Sequence, residues 1–129
     1  MTPELTVLTL AALLQVFQFC AYSATSVAQV GPKKAAGPRD NPIVLTGTAS
    51  RLQRAMNNHF EALILFTIAV LVTQASEQNT AYSAACAWFY LGARVLYVPA
   101  YVFGLTPWRS VIWLVGLLAT VAMLTAAIL

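Results

Sequence analysis

From Leu5 to Val30 the chain carries no charged side chain. About 20 mostly apolar residues suffice for a helix to cross a bilayer core. The run has no basic segment before it and is longer than the apolar region of a secretory signal peptide. It is therefore read as a first membrane helix, interrupted only by small or neutral polar residues such as Gln15, Gln18 and Ser23. Composition agrees with a membrane protein: 60% of the 129 residues are hydrophobic and 9% charged. Soluble domains are about half apolar and about a quarter charged. A chain of this length has room for one domain of at most four or five spans.

Glycine, proline and much of the soluble charge gather in residues 31–50, GPKKAAGPRDNPIVLTGTAS, which predicts a loop. Thr48 or Ser50 is the expected cap of the helix that follows. The short polar stretches SEQNT (76–80) and GLTPWRS (104–110) predict turns. The expected architecture is an all-α membrane protein, a four-helix transmembrane bundle forming a single domain over residues 1–129. Its helices are placed at about 4–30, 51–75, 81–103 and 108–129. Lys33, Lys34, Arg39, Arg51, Arg54 and Arg109 lie in or beside the first and third connections, whereas the middle one carries only Glu77. An excess of Lys and Arg marks cytoplasmic loops. The first and third connections are thus expected in the cytoplasm and both termini on the opposite side. The net charge of +3 sits beside apolar spans, where it orients the chain and meets lipid phosphates, so no nucleic-acid role is expected. Cys20 and Cys86 fall in apolar segments without a C-x-x-C or Cys/His cluster, predicting buried free thiols and no metal site.

The second span is unusual, because its first half is polar. Arg51, Arg54, Asn58 and Glu61 are spaced three, four and three apart and share one helical face. Charges at the centre of a membrane helix cost roughly 2.5–3.5 kcal/mol each, so this face must look into protein or a polar cavity. Arg94, Tyr97 and Tyr101 share a face of the third helix in the same way, and Arg109 and Ser110 open the fourth. Each has a plainer reading. Arg51, Arg54 and Arg109 serve as interfacial anchors, the tyrosines form an aromatic belt, and Arg94 pairs with Glu61. His59 lies off the shared face and, with no second ligand nearby, is read as structural. The spacing alone points to a site for a small polar anion at the cytoplasmic interface. It has no phosphate loop, no catalytic triad and no haem ligands.

The residues Arg54-Ala55, Asn58 and Glu61, followed by Phe66, fit an R-A-x-x-N-x-x-E pattern that resembles the signature of the MAPEG family, membrane-associated proteins of eicosanoid and glutathione metabolism. Gly37-Pro38-Arg39-Asp40 and Thr46-Gly47 resemble bacterial members. Arg94-Val-Leu-Tyr97-Val-Pro-Ala-Tyr101 and Trp108-Arg109-Ser110 resemble the family's third and fourth helices. The resemblance implies a homotrimer in a bacterial inner membrane, with active sites between subunits near the cytoplasmic side. It implies glutathione as cosubstrate, without a metal, and a lipophilic electrophile or lipid hydroperoxide as the second substrate. The implied reaction is that of a glutathione S-transferase, or a glutathione peroxidase. Arg51, Arg54, Asn58, Glu61, Arg94, Tyr97 and Tyr101 are then expected to hold glutathione, and Arg109 and Ser110 to sit by its sulfur. This sequence departs from the family pattern at Met56 and Leu65 and in a first helix without arginine, although Lys33 and Lys34 lie just beyond it. That last departure leaves an alternative: a non-catalytic accessory subunit of a larger membrane complex.

Overall fold

The computed structural model describes residues 1–37 and 45–129. Pro38, Arg39 and Asp40, part of the stretch resembling bacterial family members, lie outside them. The described residues form helices α1 (Pro3–Val30), α2 (Pro32–Ala35), α3 (Gly47–Ala75), α4 (Ala81–Val102) and α5 (Trp108–Ile128).

The helix ends follow from local chemistry. The Thr2 hydroxyl accepts from the Leu5 amide at 3.4 Å, and Pro3 opens α1 where a missing N–H costs nothing. Gly31 closes α1 at φ 90°, a conformation that favours glycine, and Pro32 cannot continue the same helix. One further turn, α2, carries Lys33 and Lys34, so part of the expected loop is helical. The start of α3 also differs from expectation. It begins at Gly47 rather than near residue 51, with Thr46 rather than Thr48 or Ser50 at the cap position and no side-chain cap bond. The Gln29 amide ties it down instead: its Nε2 donates to the Thr46 carbonyl and its Oε1 accepts from the Thr46 N–H, both at 2.9 Å. A polar residue near the end of α1 thus supplies what a local cap usually does.

At the far ends of α3 and α4 the chain closes in the same hydrogen-bonded pattern. Gln78 N–H donates to Thr73 and Glu77 N–H to Gln74; Leu105 N–H donates to Ala100 and Gly104 N–H to Tyr101. The left-handed position is Gly104 after α4 but Glu77 after α3, at φ 56°. Between them, Thr80 and Ser83 form a reciprocal capping box at the start of α4. The Ser83 hydroxyl also donates to the buried Glu4 carboxylate of α1, and the Thr2 hydroxyl donates to Gln74 Oε1 at 3.0 Å. These bonds put the N-terminus beside the second connection. The Arg51 guanidinium donates to the Val102 carbonyl at 3.0 Å, which puts the first and third connections together at the other end.

Helices α3 and α4 each touch all three other long helices, whereas α1 and α5 do not touch each other. The cross-section is therefore a rhombus with α3 and α4 on its short diagonal. The core is built from small residues and a few large ones: Ala11, Ala69, Ala87 and Ala119 let the backbones close on Val7, Val70, Phe66, Tyr90 and Met123. The Phe66 and Tyr90 rings stack with centroids 3.9 Å apart and an interplanar angle of 4°.

The outer surface is apolar, with Leu13, Phe17, Phe89, Leu96 and Leu118 all exposed. α1, α3 and α5 are long and apolar enough to cross a membrane. α4 has the length, at 22 residues, but Arg94 and four tyrosines make it less apolar. Cys86 is buried, whereas Cys20, expected to be buried, is exposed on α1.

Ser83→Ala removes half of the capping box and the partner of a buried carboxylate together. It is expected to destabilise the bundle by about 1–3 kcal/mol, read as a lower thermal midpoint in detergent micelles. An unchanged midpoint would show that the Glu4–Ser83 contact contributes nothing.

Candidate functional site

The chemistry-bearing residues collect at the end of the bundle where α3 and α5 begin and α4 finishes. α3 runs helical through its polar half, so Arg51, Arg54, Asn58 and Glu61 form a stripe along it. Arg54 is exposed; its Nε donates to the Tyr101 hydroxyl at 2.9 Å and its Nη1 to the Ser50 hydroxyl at 2.9 Å. The Arg109 guanidinium carbon lies 4.8 Å from the centroid of the Tyr101 ring. Tyr101 thus holds two arginines from two helices, one through its hydroxyl and one through the electron-rich face of its ring. Arg51, occupied with Val102, takes a place in the connection between chain ends rather than in the cavities.

Deeper in, Arg94 is 1% exposed, the largest fully buried side chain among the described residues. It lies eight residues before the end of α4, about 12 Å at 1.5 Å per residue. Its partners are not the expected Glu61. Nε donates to His59 Nδ1 at 3.2 Å and Nη1 donates to Asn58 Oδ1 at 3.0 Å. The guanidinium carbon lies 4.5 Å from the centroid of the Tyr97 ring. Neutral acceptors and a π face, not a counter-ion, hold this charge. Nη2 has no partner. The reason Glu61 is not the partner is helical geometry. Asn58 lies three residues and His59 two residues before it, and these two reach Arg94, while Glu61 remains exposed on the single chain.

Two cavities flank this cluster. One of about 320 Å³ is lined by Asn58, Tyr97, Tyr101, Arg109, Ser110 and Trp113. The other, about 190 Å³, lies against Glu61, Tyr90, Arg94 and Thr120, and shares Asn58 and Trp113 with the first. Of the nine residues expected at the site, eight therefore gather around one polar cleft between α3, α4 and α5: Arg54, Asn58, Glu61, Arg94, Tyr97, Tyr101, Arg109 and Ser110. Arg51 stands apart. A third cavity, about 560 Å³, is an apolar groove on other faces of α4 and α5, lined by Trp88, Phe89, Leu96 and Ile112 among others, with no group suited to chemistry.

Two features of the cluster were not foreseen. His59, read as structural, is fully buried and bonds Arg94. Tyr90 is buried with an unpartnered hydroxyl against the smaller cavity. The available signal was spacing: Tyr90, Arg94, Tyr97 and Tyr101 continue one face of α4 at i, i+4, i+7 and i+11. No group of three or more metal-ligating side chains occurs among the described residues.

Asn58→Leu takes the acceptor from a fully buried guanidinium and is expected to cost about 1.5–3 kcal/mol of stability. Ser110→Ala, at an exposed position, stays within about 0.5 kcal/mol. Thermal unfolding in detergent micelles reads both, and equal effects would mean that the Asn58–Arg94 bond carries no weight.

No curated protein and no solved structure matches the chain. The profile of the MAPEG family does, over residues 5–129. That span takes in every residue of the cleft and all four long helices except the first two residues of α1. Together with helices that can cross a bilayer and an apolar outer surface, it makes this a membrane protein, and the chain belongs to the MAPEG family.

Proposed function

We propose that this protein is an integral membrane glutathione S-transferase that activates glutathione as a thiolate for attack on a lipophilic electrophile. The observation that carries the reading is the cleft itself. It brings three arginines (Arg54, Arg94 and Arg109) and one carboxylate (Glu61) to a place between apolar helices. Glutathione carries two carboxylates, one ammonium and one thiol. The cleft offers a cationic partner for each carboxylate, an anionic one for the ammonium and a cation to spare for sulfur. The two cavities together reach the size of small-molecule sites, about 300–1,000 Å³.

In this reading Arg54, Asn58 and Glu61 hold the peptide part, with Glu61 at the ammonium and the arginines at the carboxylates. Arg94, Tyr97 and Tyr101 complete the pocket from α4, and Arg51 steadies its entrance. Arg109 sits by the sulfur with Ser110 beside it. A free thiol has a pKa near 8.5, and an adjacent guanidinium lowers it by favouring the anion. The proton leaves to solvent. The thiolate sulfur then forms the new bond to the electrophilic carbon, and the leaving group departs with its electron pair. With a lipid hydroperoxide instead, two glutathiones are oxidised to the disulfide as the peroxide is reduced to alcohol and water.

Exposure of Glu61 on the single chain favours an assembly. A carboxylate facing lipid is costly, and a neighbouring subunit of a homotrimer would cover it and close the cleft. All four long helices then cross the membrane, α4 included, because the bundle shields Arg94. The basic end, with Lys33, Lys34, Arg51, Arg54 and Arg109, faces the cytoplasm by the positive-inside tendency, and the membrane is the bacterial inner one. Glutathione enters from the cytoplasm and the electrophile from the bilayer.

Titrating the detergent-purified protein with glutathione, while following thiolate absorbance in the ultraviolet, tests the reading. A saturable signal is expected. Arg109→Ala abolishes it, while Glu61→Ala weakens binding about tenfold and keeps a signal at saturation. Variants that behave like the unaltered protein would refute the residue assignment. Absence of any signal at millimolar glutathione, with a co-purifying partner, would favour the accessory-subunit alternative.

A further inference from the structure

We infer that His59 is a positioning residue: it fixes the plane of the Arg94 guanidinium and so leaves Nη2 as the unpaired donor for the bound thiol peptide. The inference rests on the assignment of Arg94 to the glutathione site.

The geometry begins with the ring of His59, which is fully buried between α1, α3 and α4. Its Nε2 lies 2.9 Å from the Ala11 carbonyl oxygen. A carbonyl only accepts, so Nε2 carries the proton. Its Nδ1 lies 3.2 Å from Arg94 Nε, and a guanidinium only donates, so Nδ1 must offer its lone pair. The two contacts together specify one state of the ring, the neutral Nε2–H tautomer. The imidazole thereby links the backbone of α1 to the guanidinium of α4.

The effect on Arg94 follows by elimination. Nε is held by His59 and Nη1 by Asn58, and the Tyr97 ring covers one face. A planar guanidinium held at both Nε and Nη1 and covered on one face cannot rotate. Nη2 alone is left without a partner on a side chain that is almost completely buried, and Arg94 forms part of the wall of the smaller cavity. Unpaired donors of this kind are rare in proteins. Nη2 is itself buried behind that wall; a carboxylate oxygen reaches it once a wall side chain gives way, and the guanidinium, already aligned, need not reorganise.

Two substitutions separate positioning from mere support. His59→Asn places a carbonyl oxygen close to the position of Nδ1, retaining the acceptor for Arg94 and losing the tie to Ala11. His59→Gln places an amide nitrogen close to the position of Nε2, retaining the tie to Ala11 and losing the acceptor. Binding is measured by equilibrium dialysis of labelled glutathione against the detergent-solubilised protein, and folding by its thermal midpoint. The expected result is a loss of affinity that does not follow the midpoint. His59→Gln leaves the buried Arg94 Nε unpaired, so it lowers the midpoint as Asn58→Leu does, and it binds about tenfold or more weakly. His59→Asn has a lower midpoint yet binds within about threefold. Loss of affinity that merely follows the thermal midpoint in both variants overturns the inference.

Arg94→Lys separates this from the underlying reading. If it binds like the unaltered protein, Arg94 is not in the site and both fall. If it binds weakly while His59→Gln does not, only the role of His59 falls. Nitrogen-15 NMR of histidine-labelled unaltered protein gives a readout independent of any variant. The neutral Nε2–H tautomer is expected, and a protonated or Nδ1–H ring overturns the inference.

Discussion

A cation buried among apolar helices must be desolvated, and the desolvation is offset only if its hydrogen-bonding groups find partners in fixed geometry. Arg94 imposes that condition on the middle of this bundle. Its Nε requires an acceptor, which His59 supplies, and His59 in turn needs an acceptor of its own, which it finds on the backbone of α1. Its Nη1 requires Asn58 from α3, and its face is covered by Tyr97 from α4. Three helices are thus connected through one guanidinium. The fourth packs Gly116 of α5 against the same place: a Cβ there would sit in ordinary van der Waals contact, 3.8 Å from Arg94 Cδ and 3.6 Å from Ala93 Cβ.

The two ends of the bundle are built differently, in keeping with different tasks. At the end of Thr2, Glu4, Gln74 and Ser83, polar groups pair with one another, cap helices and hold chain ends together, with Glu4 Oε2 and Asn79 Nδ2 left without partners among the described residues. At the other end, arginines from three helices converge on two tyrosines and an asparagine. Capacity there is left over: one nitrogen of Arg94, the Tyr90 hydroxyl and the carboxylate of Glu61, which the single chain leaves exposed. Bonds between chain ends concentrate at one end and cationic side chains at the other. The apolar middle, with its stacked Phe66 and Tyr90, separates them.

The polar stripe of α3 illustrates why helical spacing was informative. Arg54, Asn58 and Glu61 lie on one face whatever the helix packs against, because 3.6 residues per turn fixes it. The same holds for Arg94, Tyr97 and Tyr101. Spacing could not say which residue of one stripe meets which residue of the other. Glu61 was the obvious partner for Arg94 by charge, but a buried arginine is held by whatever acceptors its fork can reach, and those are Asn58 and the neutral His59. His59 was set aside because it sits off the shared face, although that position is what lets it reach α1 and α4 together. The cap of α3 was missed for a similar reason: its partner, Gln29, comes from a residue 17 positions earlier rather than from the local sequence.

The sequence alone determined that the chain is helical and suited to a membrane, and which polar residues share each helical face, because apolarity, helical period and turn chemistry are local properties. Its R-A-x-x-N-x-x-E pattern also pointed to the family. The tertiary structure decided the rhombic packing with α3 and α4 at its centre, the gathering of eight expected residues around one cleft, and the separation of Arg51 from it. It also decided that a neutral histidine, rather than a carboxylate, holds the buried arginine. Those outcomes depend on the relative rotation and depth of the helices. Small side chains such as the core alanines set these by how closely they let backbones approach, and no periodicity within a single helix records that distance.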